Sequence, residues 1–150
     1  MPKRTTSLPE PVVLGAEQCR ELLTEVGWGI FAVVDPDGVP YAVPSAYALA
    51  RDCVYVASGE GLKRSLLEAN PRVCLTVSEV RTFDEWRSVV IRGIAVPVQG
   101  IAARTAAFAA FATQKAPRGR PSPAAAARLL EAVIVRLPLD GMTGRRRSPE

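Results

Sequence analysis

The chain has 150 residues, of which 48% are hydrophobic and 6% are aromatic, and its formal net charge is +4. This length predicts a single domain with a largely aliphatic core. No apolar run reaches the roughly 18 residues that a membrane-spanning helix needs, and residues 1–11 lack a signal-peptide core, which favours a cytoplasmic protein. The chain has no histidine and only three cysteines, far apart in sequence, which argues against a zinc site and against a histidine-activated nucleophile.

In chain order, a loose leader over residues 1–13 is followed by a predicted helix and two predicted strands. Apolar residues at helical spacing predict the helix over 15–26, ending at Gly27. Residues 28–34 are apolar at every position but one glycine, so they predict a central strand buried on both faces. The sequence Asp35-Pro36-Asp37-Gly38 predicts a hairpin turn, because proline presets φ and glycine accepts a positive φ. Residues 39–49 are the predicted return strand.

Pro44 interrupts this return strand. A proline has no N–H to donate, so it predicts a sheet edge, a bulge or a break in pairing. A break would leave backbone groups near Val43, Ser45 and Ala46 free to face a ligand, whereas an ordinary bulge is the alternative without a function.

The second half of the chain predicts further strands over 53–58, 72–80, 86–98 and 132–137. Helices are predicted from Leu62 to the Asn70-Pro71 stop, over 100–115 and over 124–131, with a loop over 116–123. Gly93 predicts a bend at a barrel corner. The tail from Pro138 is assigned to loop, and residues 145–150 are predicted to be flexible. Together these elements predict one domain over 1–150 that is mainly β, a six-stranded and mostly antiparallel barrel.

A candidate anion site follows the strand over 53–58, where the chain reads Gly59-Glu60-Gly61-Leu62-Lys63-Arg64. Cations in the first turn of a helix are mildly disfavoured by the helix dipole, and a bound anion would reverse that effect. Free N–H groups, two glycines, Lys63 and Arg64 together predict a phosphate site. The alternative is a plain turn with solvated cations, and the sequence is not a Walker P-loop because Leu62 separates the glycine from the lysine.

The order of these elements resembles the FMN-binding split β-barrel family, whose best-known member is pyridoxamine 5′-phosphate oxidase, and looks closest to its nitroimidazole-resistance branch. Five short runs between about Trp28 and Gly144 carry the resemblance: Gly38-Val39-Pro40-Tyr41-Ala42-Val43-Pro44, Tyr55-Val56-Ala57-Ser58-Gly59-Glu60-Gly61-Leu62-Lys63, Asn70-Pro71-Arg72-Val73-Cys74, Trp86-Arg87-Ser88-Val89-Val90-Ile91-Arg92-Gly93 and Met142-Thr143-Gly144-Arg145.

The resemblance implies a set of cofactor-binding residues. In the family, the lysine at the position of Lys63 binds the FMN phosphate, and Ser58 and Arg64 are placed beside it. The segment that matches Val43, Pro44, Ser45 and Ala46 runs along the isoalloxazine ring. Arg87 and Ser88 would lie near the ribityl chain or the phosphate. The resemblance also implies a homodimer that binds each flavin at its interface, with Trp28, Trp86 and the tail arginines as candidates to cover the ring.

One position departs from the resemblance. Many proteins of the nitroimidazole-resistance branch carry a histidine where this chain has Ala57, so the chemistry of that histidine is absent here. The expected function is an FMN-dependent oxidoreductase that passes a hydride or electrons from a reduced nicotinamide to a small organic acceptor. Catalytic residues are not assigned, although Tyr41, Tyr47, Ser45 or Asp84 could assist protons.

Two alternatives stay open at this point. A deazaflavin-dependent reductase of the same barrel fold would bind the phosphate of its cofactor in the same way. A non-enzymatic flavin-binding module would use the barrel without turnover. The basic run at 145–147 is interpreted as a solvated tail in preference to a nucleic-acid contact.

Overall fold

Nine strands form one antiparallel sheet in the computed structural model, which describes residues 8–58, 64–114 and 122–148. In chain order the elements are β1 (Val12–Val13), α1 (Ala16–Val26), β2 (Trp28–Val34), β3 (Pro40–Leu49), β4 (Cys53–Ser58), α2 (Arg64–Ala69), β5 (Arg72–Val80), β6 (Trp86–Ile94), β7 (Val96–Pro97), α3 (Ile101–Thr113), α4 (Pro123–Glu131), β8 (Val133–Pro138), a 3-10 turn (Leu139–Gly141) and β9 (Met142–Arg147). The predictions for residues 1–7, for the turn over 59–63 and for the loop over 115–121 lie outside the described residues.

The strand order is β1-β9-β6-β5-β2-β3-β4-β8-β7. Every neighbouring pair is antiparallel, which confirms the predicted mainly β, antiparallel class. The sequence predicted six strands instead of nine because β1 and β7 have only two residues each and β9 lies in the segment assigned to loop. No helix in the described part of the chain is long and apolar enough to cross a membrane.

A break at Ala95 divides the long strand that the sequence predicted over 86–98. Before it, β6 pairs with β5 and β9, and after it β7 pairs with β8 at the other end of the strand order. The backbone N–H of Ala95 donates to the carbonyl of Pro71 at 2.8 Å, outside both ladders. The chain therefore crosses here between distant parts of the strand order and curls the sheet. The strand β6 ends at Ile94, one residue beyond Gly93, where the bend was predicted.

The inner face of the curled sheet holds the core, and α1 covers it. Leu22 and Leu23 of α1 are fully buried, as are Phe31 of β2 and Leu75 of β5. The hairpin predicted at 35–38 is confirmed: Gly38 has φ 80°, and its N–H donates to the carbonyl of Asp35 at 2.9 Å.

The prediction that β2 is buried on both faces is wrong. Phe31 and Val33 are buried, but Trp28 and Ile30, which point the other way, are 47% and 46% exposed. Although β2 is central in the strand order, α1 covers only the inner face of the sheet. The outer face of β2 is therefore an uncovered apolar surface in the described part of the chain.

The two segments predicted to be loose pair with each other where the structure describes them. Val12 and Val13 of β1 lie opposite Arg146 and Arg145 of β9. β9 also pairs with β6 over its whole length, so the loop assignment of this tail is wrong. Its glycine is a packing position, because a Cβ on Gly144 would lie 2.5 Å from Sγ of the buried Cys19.

We expect Gly29→Ala to destabilise the sheet. A Cβ at this position would lie 2.7 Å from the carbonyl oxygen of Thr76 and 2.9 Å from Cδ1 of Leu75. A backbone oxygen within a ladder cannot move aside cheaply, so the expected loss is about 1–3 kcal/mol of unfolding free energy, measured by urea titration. Gly93→Ala is the control, since its Cβ meets only a terminal methyl of Leu137, at 3.2 Å. Equal losses for the two variants would contradict the expectation.

Candidate functional site

The open edge of β3 is the main feature near the predicted cofactor residues. β3 pairs with β2 from Pro40 to Ala46, but with β4 only from Ala46 to Leu49. From Pro40 to Ser45 its second edge has no strand neighbour among the described residues. Pro44 lies in register opposite Ile30, so there is no bulge. The break in strand pairing that Pro44 predicted is confirmed. It lies on the edge of β3 that faces β4, whereas pairing with β2 is continuous.

The hydrogen-bond alternation of the hairpin identifies which backbone groups face this open edge. The N–H of Tyr47 donates to the carbonyl of Gly27 at 3.1 Å, and the N–H of Asp35 donates to the carbonyl of Val39 at 2.9 Å. Odd-numbered residues of β3 therefore direct their peptide groups to β2, and even-numbered residues direct theirs away from it. The free groups belong to Ala42 and to the carbonyls of Pro40 and Pro44, since neither proline has an N–H to leave unpaired.

This alternation assigns the free backbone groups that were predicted near Val43, Ser45 and Ala46 to their neighbours Ala42 and Pro44. Val43 and Ser45 use their peptide groups on β2, and Ala46 uses its groups on β4. The side chains also divide between two faces. Ser45 is 1% exposed on the inner face, whereas Pro44 is exposed on the outer face. A planar ligand along this edge would thus meet the side chains of Pro44 and Ala46, but not that of Ser45.

The entrance to α2 lies beside the open edge. Ala57 is paired with Ala46, so β4 leaves β3 at the point where the open edge begins, and Ser58 then pairs with Val133 of β8. Lys63 lies outside the described residues, and its predicted role stays a prediction. Arg64 opens α2 and pairs with Glu68 at 3.0 Å, with about half of each side chain exposed. The structure therefore brings the Pro44–Ala46 segment, the end of β4 and Arg64 to one region.

A cleft of about 210 Å³ adjoins this region. It is lined by Arg64, Arg104, Glu131 and the ends of β7 and β8. Arg104 donates from Nη2 to the carbonyl of Leu130 at 2.9 Å and lies 5.3 Å from the ring centre of Phe108. Arg104 was not among the predicted site residues, although its spacing of four residues from Phe108 on a predicted helix was a usable signal.

Arg87 and Ser88 do not join these residues within one chain. They lie on β6, three strands away from β3 in the strand order, which is about 14 Å along the sheet. Arg87 donates from Nε and Nη2 to Glu79, both at 3.3 Å, and it also pairs with Glu25 of α1. Burial alone would lower the pKa of the Arg87 guanidinium, but the two carboxylates outweigh burial and raise it. Arg87 is therefore a charged group that already has two acidic partners.

Ala57, the position of the histidine in relatives, lies in an apolar environment. It is 8% exposed and packs in a cluster with Val98, Ala107 of α3 and Ile134. None of these four side chains can donate or accept a proton, and Tyr55, which packs against them, carries the cluster's one hydroxyl among the residues that the structure describes.

Tyr47 is a structural residue and does not suit proton transfer. Its hydroxyl donates to the carbonyl of Leu23 at 2.7 Å and accepts from the N–H of Gly27 at 3.0 Å. Burial raises the pKa of Tyr47 to about 12, against a smaller lowering by the hydrogen bond from Gly27. The hydroxyl thus joins the end of α1 to β3.

We expect Tyr47→Phe to lower the unfolding free energy by about 1–3 kcal/mol, because it leaves buried polar groups without partners. The loss should depend on pH. Tyr47 has a higher pKa in the folded state, about 12, than its ordinary value of 10. Its stabilising contribution is therefore complete below pH 10, and roughly 3 kcal/mol is lost as the pH rises to about 12. Denaturant titrations at several pH values would test both effects.

Tyr41→Phe is the control for this variant, since Tyr41 is 40% exposed. We expect it to change stability by less than about 0.5 kcal/mol at any pH. A difference between the wild-type protein and Tyr47→Phe that stays constant from pH 9 to pH 12 would contradict the assigned titration.

Comparisons with known proteins agree with this architecture. Residues 15–146 match the sequence model of the pyridoxamine 5′-phosphate oxidase family. An uncharacterized protein of Rhizobium meliloti (strain 1021) is 31% identical over 81 residues, which are 54% of this chain and 53% of that protein. The chain thus spans about half the length of the curated relative that it matches.

Three solved structures share the fold. A FAD-binding protein from Mesorhizobium loti is 27% identical with a TM-score of 0.68, covering 92% of this chain and 99% of that chain. A Bacteroides thetaiotaomicron protein with a provisional assignment to 5-nitroimidazole antibiotic resistance is 21% identical with a TM-score of 0.70, covering 94% and 92%. A FAD-binding protein from Mycobacterium smegmatis is 23% identical with a TM-score of 0.64, covering 91% and 98%.

The resemblance seen in the sequence is therefore confirmed by the match of 15–146 and by the shared fold. Both lead to one conclusion: this chain belongs to the pyridoxamine 5′-phosphate oxidase family and has its split β-barrel fold.

Proposed function

We propose that this protein binds FMN and acts as an oxidoreductase that passes a hydride or electrons from a reduced nicotinamide to a small organic acceptor. The observation that carries the proposal is the open edge of β3, with the carbonyl of Pro44 directed away from β2 beside the entrance to α2. Membership of the family and the likeness to proteins described as FAD-binding support a flavin as the ligand.

The residues present suit a flavin in three ways. The free peptide groups of Ala42 and Pro44 can hydrogen-bond the polar edge of a ring system. The small outer-face side chains of Pro44 and Ala46 leave room for a flat ligand. Arg64, the first residue of α2, and Lys63, which precedes it in the sequence, would supply cations for the phosphate.

When bound, the flavin supplies the electron-transfer chemistry. The part of this chain is to hold the ring against the β3 edge, to neutralise the phosphate and to exclude water. The chain contains no histidine, and Tyr47 is committed to its two hydrogen bonds. Any proton must therefore come from solvent, the substrate or a group other than these.

We further propose that the protein is a homodimer. One chain leaves Arg87 and Ser88 three strands away from the β3 edge, and it leaves the outer face of β2 and the end of β5 uncovered among the described residues, whereas α3 packs on the outer face over β4 and β8. That face carries Trp28, Ile30 and Val80, which are 47%, 46% and 70% exposed. A twofold partner on this face would bury these side chains and add its own β6 residues to the ligand site.

An absorption spectrum of the purified protein, with chromatographic identification of the released chromophore, tests the proposal. FMN at close to one per chain is the expected result. A released deazaflavin or FAD would correct the cofactor while keeping the site. A colourless protein that also fails to bind added FMN would overturn the proposed function.

A further inference from the structure

The outer face of the sheet carries arginines at several positions. Directly opposed residues of an antiparallel pair share one face, so the register follows the outer face from Ile30 of β2 to Thr76 of β5 and Val90 of β6. Alternate residues along each strand lie on the same face. The outer-face arginines of these strands are Arg72 of β5, Arg92 of β6, and Arg145 and Arg147 of β9.

No acidic side chain accompanies these arginines on the face. Strands β2, β3, β5, β6 and β9 are described in full, and their single acidic residue, Glu79, faces inwards opposite Arg87. The other carboxylates near these strands belong to the turns at their ends: Asp35, Asp37, Asp84 and Glu85. Four positive charges on the outer face therefore have no negative neighbour on it.

Two of the four, Arg72 and Arg92, lie far from the predicted cofactor residues of β6. Arg72 lies opposite Ile94 and Arg92 opposite Cys74, so the two arginines are diagonal neighbours on one face. Both are exposed, and no carboxylate pairs with either in the described part of the chain. Arg92 is six residues from Trp86 along β6, which is about 20 Å. Water solvates both guanidinium groups while the face is open, and a covering partner would displace that water.

A twofold contact on this face would bring like charges together. Each subunit of such a dimer contributes the same patch, so each adds its arginines and no acid. Sheets packed face to face are about 10 Å apart, which is close to the Debye length at 0.1 M salt. Burial of Trp28 and Ile30 favours this contact, and the arginines oppose it unless anions enter the interface.

We propose that two copies join through this face with the uptake of anions, which Arg72 and Arg92 bind at the interface. Guanidinium groups form paired hydrogen bonds to oxyanions, and a divalent oxyanion can neutralise one arginine from each copy. Association therefore strengthens as the anion concentration rises. A contact held by salt bridges behaves in the opposite way, because salt screens its attraction. This proposal rests on the homodimer proposed above and is independent of which flavin is bound.

The test is sedimentation velocity of the full-length protein at pH 7.5, with the same cofactor content in every sample. Concentration series are compared in about 20 mM and about 300 mM sodium chloride. Uptake of one chloride per dimer predicts that the dimer dissociation constant falls by about 10- to 15-fold between these two conditions. Sodium sulfate at the same ionic strength should lower the constant further, because one sulfate can bridge two guanidinium groups.

Substitutions at the two arginines provide the matched comparison. Arg72→Gln and Arg92→Gln should each lower the dimer dissociation constant by about threefold or more in the dilute salt, and each should reduce the salt dependence. Arg51→Gln removes the same charge from the turn between β3 and β4, outside this face, and should change neither quantity. Sulfate also strengthens apolar burial in general, so its additional effect must be smaller in Arg92→Gln than in the wild-type protein. A thermal melt confirms that each variant is folded.

The outcomes separate this proposal from the homodimer itself. A protein that sediments as a monomer in every salt overturns both. A dimer whose dissociation constant stays the same or rises with salt, or equal effects of Arg92→Gln and Arg51→Gln, overturns the anion uptake and leaves the homodimer in place. If an oligonucleotide of about eight thymidines binds and converts the dimer to a monomeric complex, the face is a nucleic-acid surface and the proposal is wrong.

Discussion

Lys63→Ala should weaken FMN binding by about 10- to 150-fold, because it removes a charge-assisted hydrogen bond worth about 1.5–3 kcal/mol. The physical reason is the predicted role of Lys63, which directly precedes Arg64 in the sequence and would pair its ammonium group with the phosphate. Fluorescence quenching of the flavin on titration with protein would measure the dissociation constant.

Two further variants make this result specific. Lys3→Ala removes one of the other lysines and should leave FMN affinity unchanged. Arg64→Ala should have a smaller effect than Lys63→Ala, because Arg64 already pairs with Glu68 at 3.0 Å. Riboflavin, which lacks the phosphate, should bind the wild-type protein and Lys63→Ala with similar affinity. An unchanged FMN affinity in Lys63→Ala would remove the lysine from the phosphate site.

Ile30→Glu should dissociate the proposed dimer, raising the dimer dissociation constant by about 30-fold or more. Ile30 is 46% exposed on the outer face of β2, between Pro44 of β3 and Thr76 of β5. A glutamate there would place an unpaired charge inside an apolar interface. Sedimentation velocity of the cofactor-free protein over a concentration series would measure the change.

Ile101→Glu is the matched control, because Ile101 is 89% exposed on α3 and does not lie on the sheet. It should leave the dimer intact. Ile30 lies opposite Pro44, so its substitution could also alter ligand binding directly. With cofactor-free protein, a change in sedimentation reports only the loss of the interface. A wild-type protein that sediments as a monomer, or an Ile30→Glu protein that stays dimeric, would contradict the interface on this face.

Local patterns in the sequence predicted the elements whose geometry depends on near neighbours. The hairpin at Asp35–Gly38 followed from one proline and one glycine, and α1 followed from helical spacing that ends at Gly27, which has φ 77°. The break in pairing at Pro44 followed from its missing N–H. Each of these features is decided within a few residues, so no tertiary information was needed.

Local sequence patterns did not predict which face of a strand is buried. β2 is apolar on both sides, which indicates either a covering layer on each face or one face kept for a partner. Only the packing of α1 on the inner face distinguished these two cases. The loop assignment of β9 failed for a related reason. An arginine run suggests a solvated tail, but the backbone of β9 pairs with β6 on one side and with β1 on the other, while Arg145 stays exposed.

The sequence by itself determined the family, the antiparallel class and the break in pairing at Pro44, because these depend on local motifs in a particular order. Only the tertiary structure decided three other points. In β3 the peptide groups of odd-numbered residues point to β2 and those of even-numbered residues point away, so Ala42 and Pro44 have free backbone groups. The β5–β6 register placed Glu79 opposite Arg87, and the packing of α1 on the sheet brought Glu25 to the same guanidinium. These outcomes depend on strand register and long-range pairing, which join residues too distant in sequence for any local pattern to specify.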